Sequence, residues 1–389
     1  MKHLLEHYSE QLDQLKQQGN LRQFTANVQQ DRYITIHNHK MLNLASNDYL
    51  GLASNVQLRE QFFDETPNAQ RWMSSASSRL LTGNFPEYEQ LEASLSQAFH
   101  GRAALVFNSG YHMNIGILPA LADSKTLVLA DKLIHASMID GIRLSTAKYV
   151  RYRHNDLAHL VQLLHKYHDD EAFERIIVVT ESIFSMDGDE TDLAALVRIK
   201  KQFSKVMLYV DEAHAIGVRG EQGLGCAQQY QVMDNIDLLA GTFGKAIASV
   251  GGYLICHPII RNYLINAMRP LIFSTAQPPI CMAWTDFIFK KVLNLKAERQ
   301  HLQQISQSLQ QAVQARGFDC PSSSHIVPVI IGESNQTVEK AHALQKAGFY
   351  IMPVRPPTVP KHSSRLRISL TSNIGQEELH TLIKQLMAD

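Results

Sequence analysis

A chain of 389 residues is too long for one small module and suits one large core with a smaller companion. Hydrophobic residues make up 45% and charged residues 19%, which excludes general disorder. Lys+Arg and Asp+Glu number 37 each, so no net charge draws the chain to nucleic acid or to an anionic membrane.

Four cysteines, Cys226, Cys256, Cys281 and Cys320, stand far apart with no C-x-x-C pair. That spacing suits neither a disulfide framework nor a zinc site, and it predicts a reducing compartment. The opening MKHLLEHYSEQLDQLKQQGN places Glu6, Glu10 and Asp13 where a signal peptide needs an apolar stretch. No apolar run approaches the ~18 residues that span a bilayer. The expectation is a soluble cytoplasmic protein that engages no nucleic acid and no membrane.

Leu4, Leu5, Tyr8, Leu12 and Leu15 recur at helical spacing over 4–18, predicting an amphipathic helix stopped at Gly19-Asn20. Residues 33–36 and 41–44 flank a polar turn and read as a short hairpin. A helix with a glycine stop follows at 87–101. Short apolar runs then alternate with helical stretches at 103–107, 126–130, 149–152, 175–180, 206–210 and 236–240, with 252–256 as a seventh. Strands apolar on both sides predict a mainly parallel sheet covered by helices on both faces. Beyond 286 the pattern changes to a Gln- and Leu-rich helix (288–315) and a strand (326–331). A helix (337–347), a strand (349–353), a Pro-rich loop (355–360), a strand (365–370) and a closing helix complete it. The predicted fold class is therefore α/β, a seven-stranded mainly parallel sheet between helices, with a smaller α+β C-terminal domain. The expected boundaries are 1–43 for an N-terminal helix and hairpin, 44–285 for the large domain and 286–389 for the small one.

In parallel α/β sheets ligands bind beyond the carboxyl ends of the strands, and the polar residues of this chain collect there. VMLYVDEAH delivers Asp211 at a strand end, with His214 three residues on. HExxH is absent, and a helix N-cap is the plain alternative for such an Asp. IDLLAGTFGKA presents Thr242 and Lys245 on a Gly-flanked loop, but Ala246 stands where a phosphate-loop NTPase needs Ser or Thr. Pyridoxal phosphate needs a lysine for its Schiff base and an acid for its ring nitrogen, and Lys245 and Asp211 on successive strand ends could supply both. LVFNSGYHMN offers a strand-to-helix turn at Ser109-Gly110-Tyr111 that can cradle an anion. VVTESIFSMDGD sets Glu181, Ser182, Ser185 and Asp187 beyond another strand, and His135 follows the strand ending at 130. His37 and His39 beside Asn38 read as a solvated turn rather than a metal site, and no metal is expected. The Gly217, Gly220, Gly223, Gly225 series is not GxGxxG.

Taken together, the motifs resemble the α-oxoamine synthases among the fold-type I pyridoxal-phosphate enzymes. The carriers are NLASNDYLGL (43–52), SSRLLTGN (77–84), FNSGYHMN (107–114), HASMIDG (135–141), TESIFSMDGD (180–189), DEAHAIGVRGEQGLG (211–225), GTFGKA (241–246), FSTAQPP (273–279) and RLRISL (365–370). The resemblance implies a pyridoxal 5'-phosphate-dependent acyltransferase and assigns roles by matching position. Lys245 would bear the cofactor and move the Cα proton. Asp211 would keep the pyridine nitrogen protonated. His214 and Ser185 would bond the phenolic oxygen, and His135 would stack on the ring. Ser109, Gly110, Tyr111 and Thr242 would hold the phosphate, joined by Ser274-Thr275 from the partner chain of a homodimer whose active site lies at the subunit interface. Arg367 would pair with the amino-acid carboxylate, Asn47 and Thr358 would touch substrate, and Arg22 would meet the distal carboxylate of the acyl chain.

RPPTVP (355–360) before RLRISL resembles the members that join L-alanine to a pimeloyl thioester, carried by CoA or an acyl carrier protein, in biotin synthesis. Members using glycine with acetyl-CoA, or serine with a fatty acyl-CoA, are the alternative. Two departures stand out. Met73-Ser74-Ser75-Ala76-Ser77 replace the usual glycines before Ser78-Arg79, and Ala248 stands where glycine is common.

Overall fold

The computed structural model describes residues 2–386. The chain folds as two compact units: 1–54 with 186–189 and 300–389, and 55–185 with 190–299. The N-terminal segment thus groups with the C-terminal residues, where the sequence pattern draws boundaries at 43/44 and 285/286.

The first unit holds two sheets. In one, β1 (Val28–Gln30), β2 (Tyr33–Ile36) and β3 (His39–Asn43) form an antiparallel meander. Two residues, His37 and Asn38, join β2 to β3 with φ of 48° and 63°. Positive φ at both positions is the twist-matched geometry of two-residue hairpins, which explains why the turn is polar. His39 Nε2 lies 2.9 Å from the Gln345 carbonyl.

The second unit is built on a seven-stranded sheet. Its strands are β4 (Ala103–Phe107), β5 (Thr126–Asp131), β6 (Lys148–Tyr152), β7 (Arg175–Glu181), β8 (Val206–Asp211), β9 (Leu238–Thr242) and β10 (Gly252–Cys256). They lie in the order β4-β10-β9-β8-β7-β5-β6. All pairs are parallel except those of β10, which runs against both of its neighbours. Alternate residues, Leu105 and Phe107, Val128 and Ala130, Ile177 and Val179, Leu238 and Ala240, share one apolar core with Met113, Ile117 and Met138. The residues between them, Leu127, Leu129, Ile176 and Val178, are equally buried. Burial on both faces is why these strands read as continuous apolar runs.

The remaining strands of the first unit are β11 (Ile326–Gly332), β12 (Phe349–Tyr350), β13 (Pro353–Val354) and β14 (Ser364–Ser369). Here the structure corrects the sequence pattern twice. The single strand expected at 349–353 is two strands in different sheets, because β12 pairs in parallel with β3 while β13 pairs with β14. The helix expected over 288–315 is two helices, Pro279–Val292 and Lys296–Ala315. The Arg299 guanidinium donates to the Val292 carbonyl (2.7 Å) and so closes off the first helix end. Along the second helix Leu302, Ile305, Leu309 and Val313 are buried, and Gln303, Gln304, Gln307 and Gln311 face water.

Candidate active site

In the second unit the C-terminal ends of β5, β7, β8 and β9 converge with the turn after β4. Asp211 closes β8 and is 5% exposed. Its Oδ1 accepts the Ala213 N–H (2.9 Å), and Oδ2 accepts the Asn114 amide (2.9 Å). No helix begins there, so the N-cap reading of this acid falls. Lys245 follows β9 on its loop, and its Nζ lies 2.7 Å from His214 Nε2.

Ser109 caps the helix Gly110–Leu121, its Oγ accepting the His112 N–H at 3.0 Å. The N–H groups of Gly110 and Tyr111 therefore open an anion-binding helix start. A Cβ on Gly110 would stand 3.7 Å from Thr242 Oγ1, and one on Gly244 would stand 3.6 Å from it. The two glycines leave a hollow around that hydroxyl, which itself donates to the Gly251 carbonyl (2.9 Å). Tyr111 points its hydroxyl outward to Asp140 (2.6 Å). Thr275 is exposed and its carbonyl accepts from Asn108 (2.7 Å), one residue before Ser109, with Ser274 beside it. Ser185 lies four residues beyond β7, half-buried.

His135 caps the helix Ala136–Leu144. Its Nδ1 accepts the Ser137 N–H (3.2 Å) and lies 2.7 Å from Ser137 Oγ, leaving Nε2 as the protonated nitrogen. Burial pushes its pKa down, with the Asp211 carboxylate opposing and the Lys245 ammonium adding to the shift. The neutral ring that results can lie flat against a planar partner.

Two residues of this cluster carry no role in the sequence pattern. Asn114 donates to both Asp211 and Ser137 (3.0 Å) and accepts from the buried Tyr209 hydroxyl. Glu181 pairs in register with Asp211 across β7 and β8, is 3% exposed, and keeps Oε1 without a hydrogen-bond partner. Asn114 closes the motif FNSGYHMN, and Glu181 stands second in TESIFSMDGD. The available signal was position: Glu181 ends a strand beside the strand of Asp211.

The first unit assembles the other predicted residues in two pairs. Arg367 on β14 donates from Nη1 to Ser369 Oγ (2.6 Å) and Asn47 Oδ1 (3.2 Å), and Nη2 lies 3.5 Å from the Tyr49 hydroxyl. Arg22 donates to Thr358 Oγ1 at 3.1 Å.

Both departures from glycine are visible in the backbone. Ala76 has φ of 50° and Ala248 of 49°, the left-handed region that glycine adopts freely. Among the described residues no group of three His, Cys, Asp or Glu side chains could hold a metal ion.

These residues fit pyridoxal phosphate: a buried acid for a ring nitrogen, a lysine at the strand end and a glycine-lined hollow for a phosphate. The fold and site define a fold-type I pyridoxal-phosphate enzyme. The chain belongs to the aminotransferase class I and II family, whose model matches residues 39–386. The 8-amino-7-oxononanoate synthase of Haemophilus ducreyi is 54% identical over 387 residues, covering 97% of this chain and 99% of the relative. A serine palmitoyltransferase variant from S. paucimobilis, solved with a bound pyridoxal phosphate–myriocin aldimine, superposes with a TM-score of 0.88 at 25% identity, covering 98% and 96%. An 8-amino-7-oxononanoate synthase from Francisella tularensis superposes at 0.72 with 28% identity, covering 89% and 98%.

Proposed function

We propose that the chain is an 8-amino-7-oxononanoate synthase, joining L-alanine to a pimeloyl thioester with release of the thiol and carbon dioxide. The observation that carries this reading is the 54% identity, over nearly the full length of both chains, to a relative of that name.

Bound pyridoxal phosphate supplies an electron sink that makes removal of the amino-acid Cα proton feasible at neutral pH. Lys245 would be the amine that holds the cofactor, and it is the base placed to move the amino-acid Cα proton. Its Nζ lies 2.7 Å from His214 Nε2, so the imidazole is the neighbouring group that would steer the amine. Asp211, fixed by two donors, would keep a proton on the ring nitrogen. His214 and Ser185 would bond the ring oxygen, and His135 would cover one face. Ser109, Gly110, Tyr111 and Thr242 would hold the phosphate with Ser274 and Thr275 from the partner subunit. Arg367, oriented by Asn47 and Ser369, presents a planar fork to the amino-acid carboxylate. Asn47 and Thr358 touch substrate, and Arg22 meets the far carboxylate of the acyl chain.

The same reading makes the enzyme a homodimer of the cytoplasm. The exposed stripe of Leu4, Leu5, Tyr8 and Leu12 on the helix Lys2–Gln17 supports an apolar partner, and the four free cysteines accord with a reducing compartment. Among the described residues no helix is long and apolar enough to cross a membrane. The TM-score of 0.88 favours a second reading, serine with a fatty acyl-CoA. Purified chain with pimeloyl-CoA and L-alanine, its product identified by mass, decides between them against arms with serine and palmitoyl-CoA and with glycine and acetyl-CoA. Preference for serine or glycine overturns the first reading.

A further inference from the structure

Four carboxylates lie at or just beyond the ends of β5, β7 and β8, and their partners differ sharply. Asp131 accepts from His154 Nδ1 (2.9 Å), Leu133 N–H (2.8 Å) and Asn155 N–H (2.8 Å). Glu212 accepts from Ser182 Oγ (3.0 Å), Cys226 N–H (2.8 Å) and Ala227 N–H (2.7 Å). Asp211 accepts from two donors. Glu181 is as deeply buried, yet the backbone N–H of His135 is the one donor directed at its carboxyl, and Oε1 meets none. A buried carboxylate with four lone-pair sites and a single donor is costly in its ionised form. Because Glu181 and Asp211 are partners in register on adjacent parallel strands, their side chains leave the sheet on the same face.

We propose that Glu181 is a positioning residue of the cofactor site that works as an uncharged acid: its carboxyl oxygen fixes the backbone of His135, and Asp211 alone carries the negative charge that a ring nitrogen would meet. Burial drives its pKa well above the ordinary carboxylate range. The facing charge of Asp211 and the farther one of Asp131 act in the same direction, with the Lys245 ammonium and the His135 N–H opposing. A closed circuit follows. Glu181 holds the His135 backbone, His135 Nδ1 engages Ser137, and Ser137 is held by Asn114. Asn114 in turn holds Asp211, which pairs in register with Glu181. One carboxyl group thereby sets both the ring that would stack on the cofactor and the charge environment of the acid at its nitrogen. A second anion beside Asp211 would instead have to be neutralised at each turnover.

The inference rests on the cofactor reading and not on the substrate assignment. Pyridoxal phosphate is titrated into the cofactor-free chain, with tryptophan fluorescence giving affinity and the pH midpoint of the bound cofactor's visible band giving the local charge. Glu181→Ala, which removes the acceptor of a buried N–H, is expected to weaken affinity by about tenfold or more. Glu181→Gln, isosteric and permanently neutral, is expected to restore it to within about threefold with an unmoved midpoint. Wild-type affinity in Glu181→Ala overturns the proposal. So does a Glu181→Gln midpoint displaced by about one pH unit or more, which would mean a charge had been lost. If Glu181→Ala does not fold, the Glu181→Gln midpoint decides by itself. Wild-type chain that takes up no cofactor would defeat the cofactor reading, a distinct result.

Discussion

The Nζ of Lys245 and the Nε2 of His214 lie 2.7 Å apart, although 31 positions separate them in the chain. They follow successive parallel strands, so the sheet and not the local sequence makes them neighbours. Lys245→Ala is expected to abolish the visible cofactor band and lower turnover by at least about 10³-fold, since the amine proposed to bear the cofactor and move the proton is gone. His214→Ala is expected to keep the band and to lower kcat by about 10–100-fold. Absorption spectra and steady-state rates on the same preparations test both; a persistent band in Lys245→Ala would remove this lysine from the mechanism.

Arg367→Lys replaces a planar fork by a point charge while keeping the sign. Asn47 and Ser369 orient the guanidinium but cannot make an ammonium bidentate. The KM for the amino acid is expected to rise about 10–100-fold with a smaller change in kcat, from the loss of one charge-assisted hydrogen bond. An unchanged KM would place the carboxylate elsewhere.

Ala76 and Ala248 hold φ of 50° and 49°. Left-handed backbone costs an L-residue about 1–2 kcal/mol, and glycine returns about half of that through its looser unfolded chain. Ala248→Gly and Ala76→Gly are therefore each expected to stabilise the fold by about 0.5–1 kcal/mol, read from urea midpoints. Destabilisation by either would show that packing at that methyl outweighs the backbone strain.

Glu212 is buried under the loop that ends at Gly225, where φ is 104° and a Cβ would fall 2.3 Å from Glu212 Oε2. Burial raises its pKa to about 7 from 4.5, with the three hydrogen bonds it accepts limiting the rise. The folded value exceeds the unfolded one, so the folded state binds this proton more tightly. Its stabilising share is complete below about pH 4.5 and is lost as pH climbs through about 7. Urea unfolding of wild type between about pH 5 and 8 is expected to show that decline, and Glu212→Gln is expected to flatten it. Equal slopes in the two proteins would assign the pH dependence to other groups.

Much of this protein could be read along the chain. The seven strands of the large sheet, the hairpin and the helix Pro86–Ala98 all announce themselves, because side-chain direction repeats every two residues in a strand and every 3.6 in a helix. Lys245, Asp211 and the turn at Ser109 were legible for a related reason: parallel strands deliver polar residues at their carboxyl ends. Other features depend on elements remote in the sequence. Strand 349–353 divides because two different sheets offer it hydrogen bonds, and the long C-terminal helix breaks where the Arg299 side chain reaches the Val292 carbonyl. Asn47 meets Arg367 across 320 residues. Glu181 is an ordinary acid in the linear text, and becomes a starved one when neighbouring strands strip its water and bring a single donor. Hydrogen-bond partners and desolvation are properties of a packed interior, where the groups that decide them arrive from every direction except along the chain.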